Sequence, residues 1–428
     1  MTRKPDAMKK NPFALFRIYL SKKMMLMLVL GFSSGMPLAL TSSTLSAWMV
    51  SEGVDIKTIG LFSLVGLPYA FKFLWSPLMD RFVPPFLGRR RGWMMVTQMT
   101  LIISIALLGF FNPASQPLMI ALLAVSVAFF SASQDIVLDA YRTEYLDPDE
   151  RGAGAGVWIM GYRIAILTSG AVALILSDHL SWRTVYIIMG GVMTIGCAAT
   201  FLCPEPLKTD AGGQSVAPPK TLTEAIVSPF MEFLKRPGAI EILLFVVLYK
   251  IGDVAASQMT TPYILKHIGF SRTELGTIFK GFGMAAAIAG SLMGGALMTR
   301  WSLKRSLFIF GVLQGISTIV FILLEFTGRQ IWALSLVIGV ENFCGGLGTA
   351  AYTALLMSLC NTRFTATQYA LLSSLMAVSR YITGAPTGYL VEAAGWIPFF
   401  TICTLLALPG LLLLVRYDRW AVEDGRAI

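Results

Sequence analysis

Residues 75–93 read WSPLMDRFVPPFLGRRRGW. One apolar run, 57–78, leads into this stretch and another, 93–111, leaves it. Between them stand Asp80 and the arginines Arg81, Arg89, Arg90 and Arg91. A loop this basic, between segments each able to cross about 30 Å of hydrocarbon, marks the cytoplasmic side of a membrane protein. Its opening LMDRF (78–82) returns as LMTRW at 297–301. Two questions follow: how many spans the chain has, and whether it is a repeat.

Composition agrees with a membrane class. The 428 residues are 55% hydrophobic and 14% charged, against roughly 25% charged in soluble proteins. Mean hydropathy is +0.69. Twelve apolar spans are expected, at 24–50, 57–78, 93–111, 117–139, 152–176, 184–203, 240–263, 274–298, 306–326, 331–357, 366–390 and 396–416. An even number puts both termini on one side. Arg3, Lys4, Lys9, Lys10, Arg17, Lys22 and Lys23 crowd the first 23 residues, while the opposite connections hold only scattered cations such as Lys57, Arg183, Lys266, Arg272 and Arg329. Both termini are therefore expected in the cytoplasm. The net charge of +10 belongs to this asymmetry and not to a nucleic-acid-binding face. Met24–Val50 is too long for a signal-peptide core and reads as an uncleaved first span. Cys197, Cys203, Cys344, Cys360 and Cys403 all lie in apolar segments without a CxxC pair and read as small buried side chains.

The longest polar connection, 204–239, contains KTDAGGQSVAPPK and reads as a flexible linker. It separates an N-terminal half, 1–203, from a C-terminal half, 240–428. The halves echo each other. WMVSEGVDIKTIG (48–60) answers YILKHIGFSRTELG (263–276), with Gly53 and Gly60 matching Gly269 and Gly276. A weak repeat of six spans is the organisation of the major facilitator fold, so the expectation is an all-α membrane protein with twelve transmembrane helices in two six-helix halves. The opening stretch resembles that superfamily's signature, Gly-x-x-x-Asp-Arg-x-Gly-Arg-Arg, at Asp80, Arg81, Gly88, Arg89 and Arg90. Ser76 replaces the first glycine, and five extra residues separate Arg81 from Gly88. The resemblance favours a gating role for Asp80 and Arg81; the plain alternative is a positive-inside loop.

Ionisable residues inside spans are costly and mark transport pathways. SASQDIVLDAYRTE (131–144) places Asp135, Asp139 and Arg142 on one stripe of a helix. Asp139 and Arg142 come just before the charged turn TEYLDPDERG. They are expected near the interface, ion-paired to close the cytoplasmic end, with Asp80 as a further partner. Asp135 lies one turn deeper and is the candidate for proton coupling, with Glu341 and Asp253 in reserve. Arg163, Lys250 and Arg380 also fall at mid-span, and Lys72 towards the cytoplasmic side. This excess of cations points to an anionic substrate. Tyr162, Tyr249 and Asn342 flank these positions and join the candidate substrate site. Lys250 and Asp253 have a second reading, as an i,i+3 pair that neutralises itself.

There is no Walker A phosphate loop, and the two histidines, His179 and His267, are in outer connections. ATP-driven transport and histidine-dependent acyl transfer are not expected. A proton gradient, with no cofactor, is the economical energy source.

Several blocks together resemble the AmpG-type muropeptide permeases: GFSSGMPLALTSSTLSAWM (31–49), DIKTIGLFSLVGLPYAFKFLWSPLMDRF (55–82), PPFLGRRRGW (84–93), SASQDIVLDAYRTE, and ERGAGAG (150–156) followed by GYR (161–163). The second half matches more loosely, in GTIFKGFG (276–283) and GAPTGYL (384–390). The resemblance implies a proton-driven importer in the bacterial inner membrane, not an enzyme. Its cargo would be N-acetylglucosaminyl-anhydro-N-acetylmuramyl peptides, for cell-wall recycling and β-lactamase induction. Protons, the amino-sugar peptide and the lipid bilayer would be its partners, and a monomer its working form. Longer members of the family carry two further hydrophobic segments; shorter ones end near the twelfth span. The broader family includes transporters of acetyl-CoA and permeases encoded beside siderophore genes, and such a cargo is the alternative.

Overall fold

The computed structural model describes residues 18–206, 222–361 and 363–420, and every regular element among them is helical. Nine helical segments among the described residues are long and apolar enough to cross a membrane: Lys22–Ser51, Arg89–Leu108, Pro117–Tyr145, Arg151–Ser177, Trp182–Leu202, Gly276–Leu297, Leu303–Thr327, Ile331–Ser358 and Trp396–Trp420. Twelve were expected. The other three expected spans are helical but interrupted or polar. Residues 56–81 break into short α and 3-10 pieces around Pro68 and Pro77, each of which lacks a backbone N–H. The span at 240–263 breaks between Ala239–Leu248 and Ile251–Pro262, with Lys250 at the break. Thr365–Ala394 is one long helix that contains Pro386.

Eleven elements frame the site: α1 (Lys22–Leu40), α2 (Ser76–Arg81), α3 (Arg89–Leu108), α4 (Pro117–Tyr145), α5 (Arg151–Leu167), α6 (Leu222–Leu234), α7 (Ile251–Pro262), α8 (Met284–Leu297), α9 (Leu303–Ile319), α10 (Ile331–Ser358) and α11 (Thr365–Ala394). Connections alternate between two ends of the bundle. At one end Asn112 donates to Glu52 at 2.7 Å and Trp182 donates to Ser51 at 3.1 Å. At the other, Lys23 pairs with Glu150 at 2.7 Å and Arg236 donates to the Leu359 carbonyl at 2.5 Å. This second end carries residues 203–206 and 235–238 and is called the linker end below. The sequence echo has a structural counterpart: Gly53 and Gly269 turn with φ of +75° and +86°, a left-handed backbone that favours glycine.

Within the expected flexible linker, α6 is an ordered helix. Its Glu232 holds Arg236 through contacts of 2.6 and 2.8 Å, and its Phe233 is buried in the second half's core. Phe233 gives this part of the connection a large apolar side chain to bury; residues 208–220 lie outside the described residues.

Helix α5 is the axis between the halves. A Cβ on Gly161 would lie 2.1 Å from the Leu28 carbonyl of α1, and one on Gly156 would lie 2.5 Å from the Ser291 carbonyl of α8. Small residues let three helices approach to backbone contact without a hydrophobic driving force between them. The result places Arg163, on the first half's α5, opposite the second half.

Candidate functional site

The stripe on α4 forms as its spacing requires. Arg142 donates to Asp139 at 2.8 Å, and Lys72 lies 3.7 Å from the other Asp139 oxygen. Arg142 also donates to the Tyr369 hydroxyl of α11 at 2.7 Å, and its guanidinium covers the Trp158 ring at 4.6 Å. Both side chains of the pair are covered. Asp139 is 9% exposed and Arg142 2%. Distance from a charged turn measures depth along the helix but says nothing of lateral cover, and here α11 of the other half provides it. Asp135, one turn further in, is partly exposed and accepts from Ser34 at 2.5 Å. Lys72, Tyr69 and Tyr162 lie within its electrostatic reach.

Asp80 does not join Asp139 and Arg142. It accepts from Arg90 at 2.8 Å, from the Thr367 backbone N–H and hydroxyl at 2.9 Å each, and from the Ala366 N–H at 3.4 Å. A first-half carboxylate thus caps the N-terminus of the second half's α11, where unpaired N–H groups and the helix dipole favour negative charge. Arg90 turns also to Glu144 at 2.6 Å, and both Asp80 and Arg90 are fully buried. The Glu205 carboxylate accepts from the N–H groups of Arg90 and Arg91 at 2.8 and 3.0 Å, which anchors α3. Arg81 takes no part in these contacts; its guanidinium rests over the Phe82 ring at 5.3 Å.

The second half has its own cluster. Lys250 donates to Gln314 at 3.0 Å and to Thr349 at 3.1 Å, and lies 3.6 Å from Asp253. The i,i+3 pair is therefore present, but the ammonium is held chiefly by neutral oxygens. Gly348 makes the room: a Cβ there would be 2.3 Å from the Gln314 oxygen and 3.6 Å from the Lys250 nitrogen. Glu341 accepts from Asn342 at 3.0 Å and lies within electrostatic reach of Asp253, Lys250 and, from the other half, Arg163. Asn342 also donates back to the Ile338 carbonyl at 2.9 Å. Arg163, Asp253 and Glu341 are all partly exposed, which at mid-span means a wet cavity and not lipid.

Tyr249 is not in this site. Its hydroxyl donates to the Leu307 carbonyl at 2.9 Å, and its ring stacks on Tyr352 at 5.6 Å in the second half's core. Adjacent helical residues point about 100° apart, so a tyrosine beside Lys250 in sequence faces elsewhere. The Arg380 side chain lies outside the described residues. Reading for charge missed Gln314, Thr349, Ser34, Thr367 and Tyr369. A mid-span glutamine in FGVLQGIST was the available signal for the first.

The family model of the Major Facilitator Superfamily matches residues 27–385 and again 253–424. The chain belongs to the major facilitator superfamily. Among its relatives, the Anhydromuropeptide permease of Escherichia coli K12 is 49% identical over 400 residues, covering 93% of this chain and 80% of that protein. A Haemophilus influenzae protein of uncharacterised role is 39% identical over 92% of this chain and 94% of its own. The Putative transporter AmpG 1 of Rickettsia bellii is 31% identical over 93% and 98%. The solved proton:xylose symporter XylE, bound to 6-bromo-6-deoxy-D-glucose, superposes with a TM-score of 0.69 at 12% identity, covering 94% of this chain and 95% of that one. The human organic anion transporter MFSD10 gives 0.63 at 16%, covering 94% and 98%. These two likenesses establish the major facilitator fold and nothing finer.

Proposed function

We propose that this major facilitator is a proton-driven importer of anhydromuropeptides in the bacterial inner membrane. The observation that carries the reading is the 49% identity, over 93% of the chain, to a permease of that name. The mid-span charges fit it. An anhydromuropeptide joins amino-sugar rings to a peptide with carboxylates, and Arg163 and Lys250 offer cations between the halves. A guanidinium recognises a carboxylate through paired hydrogen bonds that an ammonium cannot copy. Imported cargo serves cell-wall recycling and the signal that induces β-lactamase, hence antibiotic resistance. The protein works as a monomer in the bilayer, without a cofactor, and transports without chemically altering its cargo.

The linker end is the cytoplasmic end in this reading, with both termini there. Asp80 on the α11 N-terminus, Arg142 on Tyr369 and the Tyr19 hydroxyl on the Leu292 carbonyl at 2.5 Å join the halves at that end. With that end closed, the state proposed here is an outward-facing one, its cytoplasmic gate shut. Asp135 carries the coupling proton: its charge, when present, draws Lys72 away from Asp139, and its neutralisation returns Lys72 to that pair.

The test is uptake of radiolabelled anhydromuropeptide by proteoliposomes under an imposed pH gradient, with acetyl-CoA as the control cargo. Accumulation of the muropeptide alone is expected. Accumulation of acetyl-CoA in its place would overturn the cargo.

A further inference from the structure

We infer that α6 is a lipid-binding helix, set into the boundary between headgroups and acyl chains of the leaflet at the linker end. Its stripe of Ile226, Val227, Met231 and Leu234 is the inserted face.

The helix has two unlike sides. At 3.6 residues per turn, Pro229, Glu232 and Phe233 fall on one of them, with Arg236 just past the helix end. Phe233 is buried in the second half's core. Glu232 accepts from the Asn361 amide at 3.3 Å and from the Gln368 amide, and Arg236 donates to the Leu359 carbonyl at 2.5 Å. This side fastens α6 to the start of α11 and the residues before it. On the other side, Ile226, Val227, Met231 and Leu234 share an arc of about 140°. All four are exposed, Leu234 by 54%. Large apolar side chains gathered on one exposed face mark a contact surface.

Its neighbours indicate what covers it. Residues 235–238 separate α6 from the helix Ala239–Leu248, and Gly238 makes the turn with φ of +75°. Beyond the turn, Ile240 and Leu244 continue the exposed apolar surface, Ile240 by 71%. They open the segment read as the seventh membrane span, so lipid is their solvent. The turn sits among residues typical of the membrane–water boundary. A Cβ on Gly238 would lie 2.7 Å from the Trp420 ring. The Trp420 indole donates to Glu241 at 3.0 Å, and Arg416 donates to the same carboxylate at 2.6 Å. From this depth α6 leaves with an apolar face still exposed. Lys235, exposed beside the stripe, can lay its stem along acyl chains and reach a phosphate. The adjoining segment 207–221 holds only Leu207 and Val216 as large apolar side chains, too few to cover four.

The test uses the wild-type protein in nanodiscs of phosphatidylethanolamine and phosphatidylglycerol. A phospholipid with a diazirine on an acyl carbon near the headgroup is added, and after illumination the tryptic peptides are mapped by mass spectrometry. Lipid adducts are expected on peptide 221–235 at Ile226, Val227, Met231 and Leu234, with a yield of the same order as at Ile240. Ser228 and Glu232 should stay unlabelled. Labelling of Ile240 with none on 221–235 would overturn the inference, because water, residues 1–17 or a second copy would then cover the face. Labels spread equally over Ser228 and Glu232 would overturn it too. Spin labels give an independent reading, in a chain with its own five cysteines replaced. Nitroxides at positions 227, 231 and 234 should collide more with oxygen than with a water-soluble nickel chelate, and one at 228 should show the reverse. Preferential nickel access at the three stripe positions, or low access of both reagents there, would contradict the inference. Neither experiment uses cargo, so neither depends on the importer reading.

Discussion

In the first half, Lys72, Asp135, Asp139 and Arg142 form a ladder that climbs from a partly exposed carboxylate to Tyr369 of the second half. In the second half, Lys250, Asp253 and Glu341 stand beside Arg163, which the first half supplies. Both sets contain two cations and two anions, and both borrow a partner across the interface. They differ in where the borrowed partner sits. Tyr369 is covered and near the linker end, so the first ladder ends in a contact that holds the halves together. Arg163 is partly exposed at mid-span, so the second cluster opens on the space where cargo would bind. In the proposed reading one charge pattern serves two tasks, set by burial and not by residue type.

This contrast can be broken from either side. The largest effect is expected for Arg142→Met, which takes from the buried Asp139 its partner at 2.8 Å and leaves it Lys72 at 3.7 Å. Removing one member of a buried pair costs about 3–5 kcal/mol, and thermal unfolding in detergent should show a large drop in Tm with uptake abolished. An unchanged Tm would mean that the ladder is not structural. Tyr369→Phe is milder. It keeps the ring and the Arg142–Asp139 pair and removes a hydrogen bond to a charged group, worth about 1.5–3 kcal/mol. Spin-label distances across the linker end should lengthen in part of the population; distances identical to wild type would detach the ladder from the gate.

Gly348→Ala probes the second cluster. Its Cβ would crowd the Gln314 oxygen, and overpacking costs about 1–3 kcal/mol. Weaker cargo binding with the halves still joined at the linker end is the expected pattern. Equal loss of binding and of inter-half contact would argue against separate tasks. Tyr249→Phe should matter least. Losing its bond to the Leu307 carbonyl costs about 1 kcal/mol, and transport kinetics should match wild type. A large rise in the KM for uptake would return Tyr249 to the binding site.

Much of this was legible in the sequence because the signals were local. The α4 stripe follows from helical spacing, and the echo of Gly53 in Gly269 follows from a shared turn. The span pattern and the 75–93 signature point to the superfamily directly. What could not be read were contacts between distant segments. Nothing near Asp80 in sequence specifies Thr367, since capping a helix in the other half is a property of the closed interface. Arg90, and not the adjacent Arg81, became its ion partner because α3 returns beside α2. Gln314 and Thr349 carry no charge and so escaped a search for charge, although they hold Lys250 in place. The three spans that fell short as apolar helices include those carrying Lys72, Lys250, Asp253 and Arg380. The first of them is broken into short pieces around Pro68 and Pro77, and the second breaks at Lys250.

The central claim is that the first-half ladder couples a proton to movement, and Asp135→Asn tests it most directly. Asparagine keeps the shape and can still hydrogen-bond Ser34, but it cannot cycle between charged and neutral forms. Proteoliposomes containing this variant should exchange labelled for unlabelled anhydromuropeptide while failing to accumulate it under a pH gradient. Accumulation at the wild-type level would contradict the account and move the coupling proton out of the first half.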